Sequence, residues 1–276
     1  TQGVSSAASD VYKRQILCAD DYAQSQGIDD AIIQLIQQKK LSAASCMTLS
    51  PHWHKAAKRI SPAIRKQAAI GLHLDFTHFT PVASHPKLIA LSYLRLLNKQ
   101  QVSQHINHQL GLFEEALGAP PDYVDGHQHV HQLPQIREAL IELLSKRYGS
   151  KLPWLRIARP PLNEGLKGWI IRWLGANALQ QQAQKMGFLF SDCLLGVYEF
   201  RGDKASYKHR LTNWLKDAKK HESDNAAILM CHPSLESTDQ DAIYGARLVE
   251  FEVLHNELDA LLKTHQVELV KSPALN

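Results

Sequence analysis

The chain has 276 residues, of which 44% are hydrophobic and 21% charged, with a net charge of +4. That profile excludes a disordered chain. It also holds no apolar run of membrane-spanning length, no visible secretory h-region near Thr1 and no Lys/Arg block of a nucleic-acid binder. The length suits one large α/β domain and leaves a homodimer open. Cys18, Cys46, Cys193 and Cys231 show no CxxC spacing and read as buried free thiols of a reducing, cytoplasmic setting.

Residues 1 to about 15 are small and polar, without period or initiator Met, and read as a non-native leader outside the fold. A single domain is expected over 16–276. Ile16-Leu17-Cys18-Ala19 is an apolar run that stops at Asp20-Asp21 and reads as a buried parallel strand. Neighbouring residues on a strand face opposite ways, so the two Asp are expected to have different jobs. The alternative is that one of them caps the next helix.

Ile28, Ala31, Ile32, Leu35 and Ile36 mark that helix. Ala43–Leu49 reads as a second strand, Trp53–Ile60 as a short helix, and Ala69–Leu74 as a third strand with His73 near its end. Residues 77–102 lack a clean period and read as a loop insertion with one helix over Leu88–Leu97. Ile106 to Leu117 is helical and closed by Gly118. Tyr123–Gly126 is a strand running into His127-Gln128-His129-Val130-His131, whose alternate histidines would line one face of an extended segment. A helix follows to Lys146, then a strand over Trp154–Ala158. Between Leu162 and Arg201 the pattern gives helices near Leu166–Leu174 and Ala178–Met186 and a strand around Phe188. Ala205–Lys220 is helical and Ala226–Cys231 is a buried strand ending at His232. Leu254, Leu258 and Leu261 mark the last helix, and Val267–Val270 the last strand.

Strands alternating with helices predict an α/β fold, an irregular (β/α) barrel of TIM-like type with about seven parallel strands. In such a barrel all strand C-termini meet at one mouth, which would bring Asp20, Asp21, His73, His127 and His232 together. One carboxylate with two imidazoles can hold a divalent ion and leave positions open for water and a carbonyl oxygen. The second Asp would then serve as a base and His232 as an acid.

Four motifs occur in order: Ala19-Asp20-Asp21-Tyr22, Gly71-Leu72-His73-Leu74, Val124 through His131, and Met230-Cys231-His232-Pro233. The set resembles the YdjC-like carbohydrate deacetylases, which include the chito-oligosaccharide (ChbG) and hopanoid-associated (HpnK) types. The resemblance implies metal-dependent removal of an N-acetyl group from an amino sugar or oligosaccharide. It puts Asp21, His73 and His127 on the metal, which would be Mg²⁺ or Zn²⁺. It makes Asp20 the base and His232 the acid. Asp125, His129 and His131 fall in supporting or substrate-binding places, and Asp125 is expected to hold a ligating histidine. Arg156 or Arg159, near a strand end, is expected to orient Asp20 or a sugar hydroxyl; for either, and above all for Arg159, a surface salt bridge is the alternative. Departures from the family pattern are Tyr22-Ala23 for Phe-Gly, Cys18 for Asn, and Ser234 for Gly. A related hydrolase acting on another amide or ester, and a non-catalytic sugar-binding protein, stay open as other readings.

Overall fold

A computed structural model describes residues 13–79, 83–162, 165–217, 225–236 and 241–274. Eight parallel strands alternate with ten helices among these residues. The first half runs β1 (Lys13–Tyr22), α1 (Gln26–Gln37), β2 (Ala43–Cys46), α2 (Trp53–Ala57), α3 (Pro62–Gln67), β3 (Ala69–Leu74), α4 (His85–Tyr93), α5 (Lys99–Leu117) and β4 (Tyr123–Gly126). The second half runs α6 (Ile136–Tyr148), β5 (Trp154–Leu155), α7 (Gly165–Trp173), α8 (Ala176–Lys185), β6 (Leu194–Leu195), α9 (Lys204–Asp217), β7 (Ala227–Cys231), α10 (Tyr244–His265) and β8 (Val267–Leu269).

The sheet order is β5-β4-β3-β2-β1-β7-β6, and β8 pairs with the base of β1. Its two ends approach each other through one parallel bridge, Leu155 to Phe190, so the sheet curls into an irregular barrel. Every residue of β2, β3, β4 and β7 is buried, as expected of strands covered on both faces. The helices lay apolar stripes on the outside of this sheet. Ser25 caps α1, Asn98 caps α5, and Gly118 in the left-handed conformation closes α5. Since Ser25 is the cap, neither Asp20 nor Asp21 has that role.

Several boundaries differ from the sequence reading. β1 begins at Lys13, inside the stretch read as leader, and Lys13–Gln15 pair with β8; residues 1–12 lie outside the described residues. The insertion after β3 holds its helix at His85–Tyr93 rather than Leu88–Leu97. Its first turn is ordered by Asp75, whose carboxylate accepts the backbone N–H groups of Thr77, His78 and Phe79. β2 ends at Cys46 and β5 at Leu155, because both turn at once into loops that feed the mouth. The strand expected at Phe188 is an isolated bridge at Phe190, and the pairing strand is β6, only two residues long. No helix among the described residues is long and apolar enough to cross a membrane.

Candidate active site

Because all strands are parallel, their C-terminal ends share one side of the barrel. Asp20 and Asp21 end β1, His73 lies near the end of β3, and Asp125 is on β4. His127, Arg156 and His232 follow β4, β5 and β7 directly. The sequence therefore delivers seven polar side chains to one mouth. All are buried except His127, whose side chain is 17% exposed.

Two adjacent Asp enter the same mouth because β1 does not stay regular there. Its register against β2 shifts between Ala19 and Tyr22, and Asp21 has φ of 69°. This bulge re-aims one side chain of the pair, so the strict alternation expected from sequence does not hold. Ala23, where the family pattern has Gly, also sits at φ of 77°. Its N–H donates to Asp29 Oδ1 at 2.6 Å and its carbonyl accepts from Ser50 Oγ at 2.5 Å, which together hold the strained turn.

The two carboxylates have separate partners. Asp20 accepts two bonds from Arg156, Nη1 to Oδ2 at 2.7 Å and Nη2 to Oδ1 at 2.6 Å, and His232 Nε2 lies 4.0 Å from Oδ2. Burial by itself would raise the Asp20 carboxyl, but the Arg156 guanidinium outweighs it and holds the group well below the usual carboxylate range. Asp21 Oδ1 lies 3.1 Å from His127 Nδ1 and 3.5 Å from His73 Nε2, while Oδ2 accepts from Arg247 Nη2 at 2.7 Å. Here too burial is outweighed, by Arg247 and His127, and Asp21 stays ionised.

His73 and Asp125 are register partners on β3 and β4, so their side chains share a face, and His73 Nδ1 lies 2.7 Å from Asp125 Oδ1. Burial pulls the imidazole down, yet Asp125 and Asp20 more than offset it and push it up to about 9. With Nδ1 engaged, His73 keeps Nε2 free to face Asp21. One ligand atom from each of Asp21, His73 and His127 falls within a mutual 4.8 Å, a group able to hold a metal ion. A second group, Cys18, Asp20 and Asp125, falls within the same 4.8 Å, but its cation is already present. Arg156 Nη2 lies 2.9 Å from Cys18 Sγ and 2.6 Å from both Asp20 Oδ1 and Asp125 Oδ2. Burial pushes the Cys18 thiol up to about 12, so it stays protonated. Around the mouth, Asp20, Asp21, Asp125 and Asp241 face Arg156 and Arg247 together with the imidazoles of His73, His127 and His232. Loss of the His73 proton on ligation would leave a surplus of negative charge that suits a bound cation.

His127 to Gln132 do not form the expected extended segment. They make a tight 3-10 turn in which Gln128 and His129 have φ of 53° and 61°. The alternate histidines therefore do not line one face. His127 faces Asp21, His131 Nε2 turns back to the Arg156 carbonyl at 2.9 Å, and His129 is buried with Nδ1 unpartnered. Arg156 is the arginine that reaches Asp20. Arg159 instead bonds Gln180 and the Asp192 carbonyl, away from the mouth.

Sequence reasoning missed Arg247, Glu250 and His78. Arg247, 3% exposed, links Asp21 to Asp241. Glu250 accepts the His232 backbone N–H and the Tyr198 hydroxyl, each at 2.5 Å; burial pushes its carboxyl up to about 7. Both lie on the α10 stripe that continues through Leu254, Leu258 and Leu261. Charged residues on an otherwise apolar helix face were the signal available. His78 stacks edge-on to His127, 5.5 Å between ring centres, and nothing in its irregular loop marked it.

Fold and site together define a (β/α)-barrel protein with an Asp/His cluster at the mouth that is able to hold a metal ion. The chain belongs to the YdjC-like protein family, whose profile matches residues 14–268. A carbohydrate deacetylase of Xenopus laevis is 25% identical, over 94% of this chain and 92% of its own length. A chitooligosaccharide deacetylase of Serratia marcescens is 29% identical, over 88% of this chain and 90% of its own. Among solved structures, a protein of Enterococcus faecalis V583 has the same fold, with a TM-score of 0.72 at 19% identity, covering 95% of this chain and 98% of that one.

Proposed function

We propose that the protein is a metal-dependent hydrolase that removes N-acetyl groups from amino sugars or chito-oligosaccharides. The observation that carries this reading is the division between two adjacent carboxylates. Asp21 faces two imidazoles, and Asp20 is held by Arg156 beside His232. The two deacetylase relatives supply the substrate class.

In this reading Asp21, His73 and His127 hold one divalent cation, Mg²⁺ or Zn²⁺, and Asp125 fixes the His73 ring for it through Nδ1. The cation, when bound, supplies a Lewis acid for the acetyl carbonyl and acidifies water. Asp20 accepts the proton of the water that attacks the amide carbon. The two bonds from Arg156 keep its carboxylate ionised and fix its plane for that task. Burial lowers His232 to about 4, so it is neutral at pH 7 and must gain its proton during turnover. Asp20 Oδ2 lies 4.0 Å from Nε2, a gap that one bridging water, or closure around the substrate, would span to pass the proton on. As the C–N bond breaks, His232 gives this proton to the departing nitrogen, releasing acetate and a free amine. His129 packs into the wall of the site with its Nδ1 buried and unpartnered, and His131 steadies the end of β5 through the Arg156 carbonyl. Four buried free cysteines accord with a reducing, cytoplasmic setting.

The test is a panel of acetylated amino sugars, other amides, acetyl esters and phosphoesters assayed for acetate and phosphate release. Acetate from N-acetylated chito-oligosaccharides supports the reading. Phosphate release, or turnover confined to non-sugar amides or esters, would replace it.

A further inference from the structure

Helix α7 turns an apolar stripe outward. Leu166, Trp169, Ile170 and Trp173 follow the i, i+3, i+4, i+7 spacing of one helical face and are 79%, 49%, 53% and 69% exposed. The opposite side is already used, since Gly168 and Ile171 are buried. Leu162 and Tyr93 extend the face, and the Tyr93 hydroxyl donates to the Trp173 carbonyl at 2.8 Å. Trp169 and Trp173 stack on each other at 5.9 Å. These six residues expose roughly 800 Å², against about 300–600 Å² for the largest apolar patch of an ordinary monomer and about 800 Å² for each side of a stable interface.

The chemistry of the face selects among occupants. An oligosaccharide would need a row of free hydrogen-bonding groups beside the aromatic rings. The groove of about 410 Å³ between α4 and α7 is lined by apolar and aromatic residues, and its Tyr93 hydroxyl is spent on the Trp173 carbonyl. The cleft on the other side of the two Trp adds only Arg172, bonded to the Pro160 carbonyl, and Asn177. An anionic lipid surface would need free cations on the rim. The two that α7 carries are folded back, Lys167 Nζ onto the Tyr198 carbonyl and Arg172 Nη1 onto the Pro160 carbonyl. A second copy of the chain needs one patch that carries both projection and recess, because a two-fold interface is self-complementary. Leu166 and Trp173 project beside that groove and also line it.

We propose that this face is the self-association surface of the protein. Two copies pack α7 against α7 across a two-fold axis, with Trp173 of one protomer entering the α4–α7 groove of its partner. The surface lies one hydrogen bond from the turn that presents His127, because Gln132 Nε2 donates to the Ile171 carbonyl at 2.8 Å. Pairing would therefore stiffen the support of the site, whatever reaction it performs.

Sedimentation velocity of the full chain over a micromolar concentration series tests this. The expected result is a dimer whose dissociation constant rises about a hundredfold or more in the double variant Leu166→Glu, Trp173→Glu, with the circular-dichroism spectrum unchanged. A monomeric wild type, or a variant that stays dimeric, overturns the proposal. Co-sedimentation of a monomeric wild type with phosphatidylglycerol vesicles, lost in the variant, would assign the face to lipid instead. If the double variant does not fold, Ile170→Cys decides. The native cysteines are buried, so a short bismaleimide should link two copies through position 170, and absence of that product overturns the proposal.

Discussion

The guanidinium of Arg247 grips one oxygen of Asp21, Nη2 to Oδ2 at 2.7 Å, and leaves the other oxygen turned toward His127 and His73. Nε of the same guanidinium is anchored on Asp241 at 2.5 Å, so the carboxylate has little freedom to rotate. Groups that orient a metal ligand in this way are typically worth about 10–100-fold in affinity. Arg247→Gln is expected to weaken divalent-ion binding by about that factor, with Arg247→Lys recovering part of it. Calorimetric titration of the metal-free protein with Zn²⁺ checks this. Tighter binding in Arg247→Gln would show that the arginine competes with the cation instead of orienting its ligand.

Asp20 makes none of the close contacts to His127 that Asp21 makes; its carboxylate is committed to Arg156. Asp20→Asn should therefore keep the ion while lowering turnover by about 10²–10⁴-fold, the usual worth of a general base. Metal analysis of the purified variant beside an acetate-release assay separates the two effects. Loss of the ion with turnover would move Asp20 into the ligand set.

Ala23 adopts a left-handed conformation that favours glycine. Ala23→Gly should relieve that strain at the cost of some unfolded-state entropy, for a net gain of about 0.5–1 kcal/mol in urea unfolding. A destabilised variant would mean that the methyl group, which is fully buried, contributes more by packing than the turn loses by strain.

Glu250 gives a pH dependence with a definite sign. Burial raises its carboxyl from 4.5 to about 7, so the fold prefers the protonated form. Its stabilising contribution is full below the unfolded value and is lost as pH rises through the folded one. Gln at this position can still accept the His232 N–H and donate to the Tyr198 oxygen. Glu250→Gln should therefore gain on the wild type by on the order of 2 kcal/mol between about pH 5 and about pH 8. Denaturant unfolding at the two pH values measures the change.

Much of this architecture was legible because buried parallel strands are short apolar runs, and β1, β3, β4 and β7 are all of that kind. Their ends carry Asp20, Asp21, His73, Asp125 and His232, and parallel topology alone predicts that such ends converge. The weak region was 162–201, where β6 has two residues and pairing depends on the edges of a curled sheet rather than on any local pattern. The turn at His127–Gln132 misled for a related reason. Alternation in sequence implies one face only if the backbone is extended, and positive φ at Gln128 and His129 breaks that condition. Gly71 was read as part of a motif, but its physical reason is visible only in three dimensions. A Cβ there would lie 2.4 Å from the Tyr123 ring, whose hydroxyl is 2.8 Å from Ser45 Oγ, itself a donor to Asp125. Arg247 was hidden because its partner is 226 residues away in sequence, and only the folded barrel makes them neighbours.

The central claim is that Asp21, His73 and His127 form the metal site of a sugar N-deacetylase. Acetate release from N,N′-diacetylchitobiose tests it most directly, measured with the wild type, with the wild type stripped by chelator and reloaded with a divalent ion, and with His73→Ala. The account predicts release by the wild type, loss on stripping, recovery on reloading, and neither bound ion nor release in His73→Ala. Undiminished release by the stripped protein or by His73→Ala would contradict it.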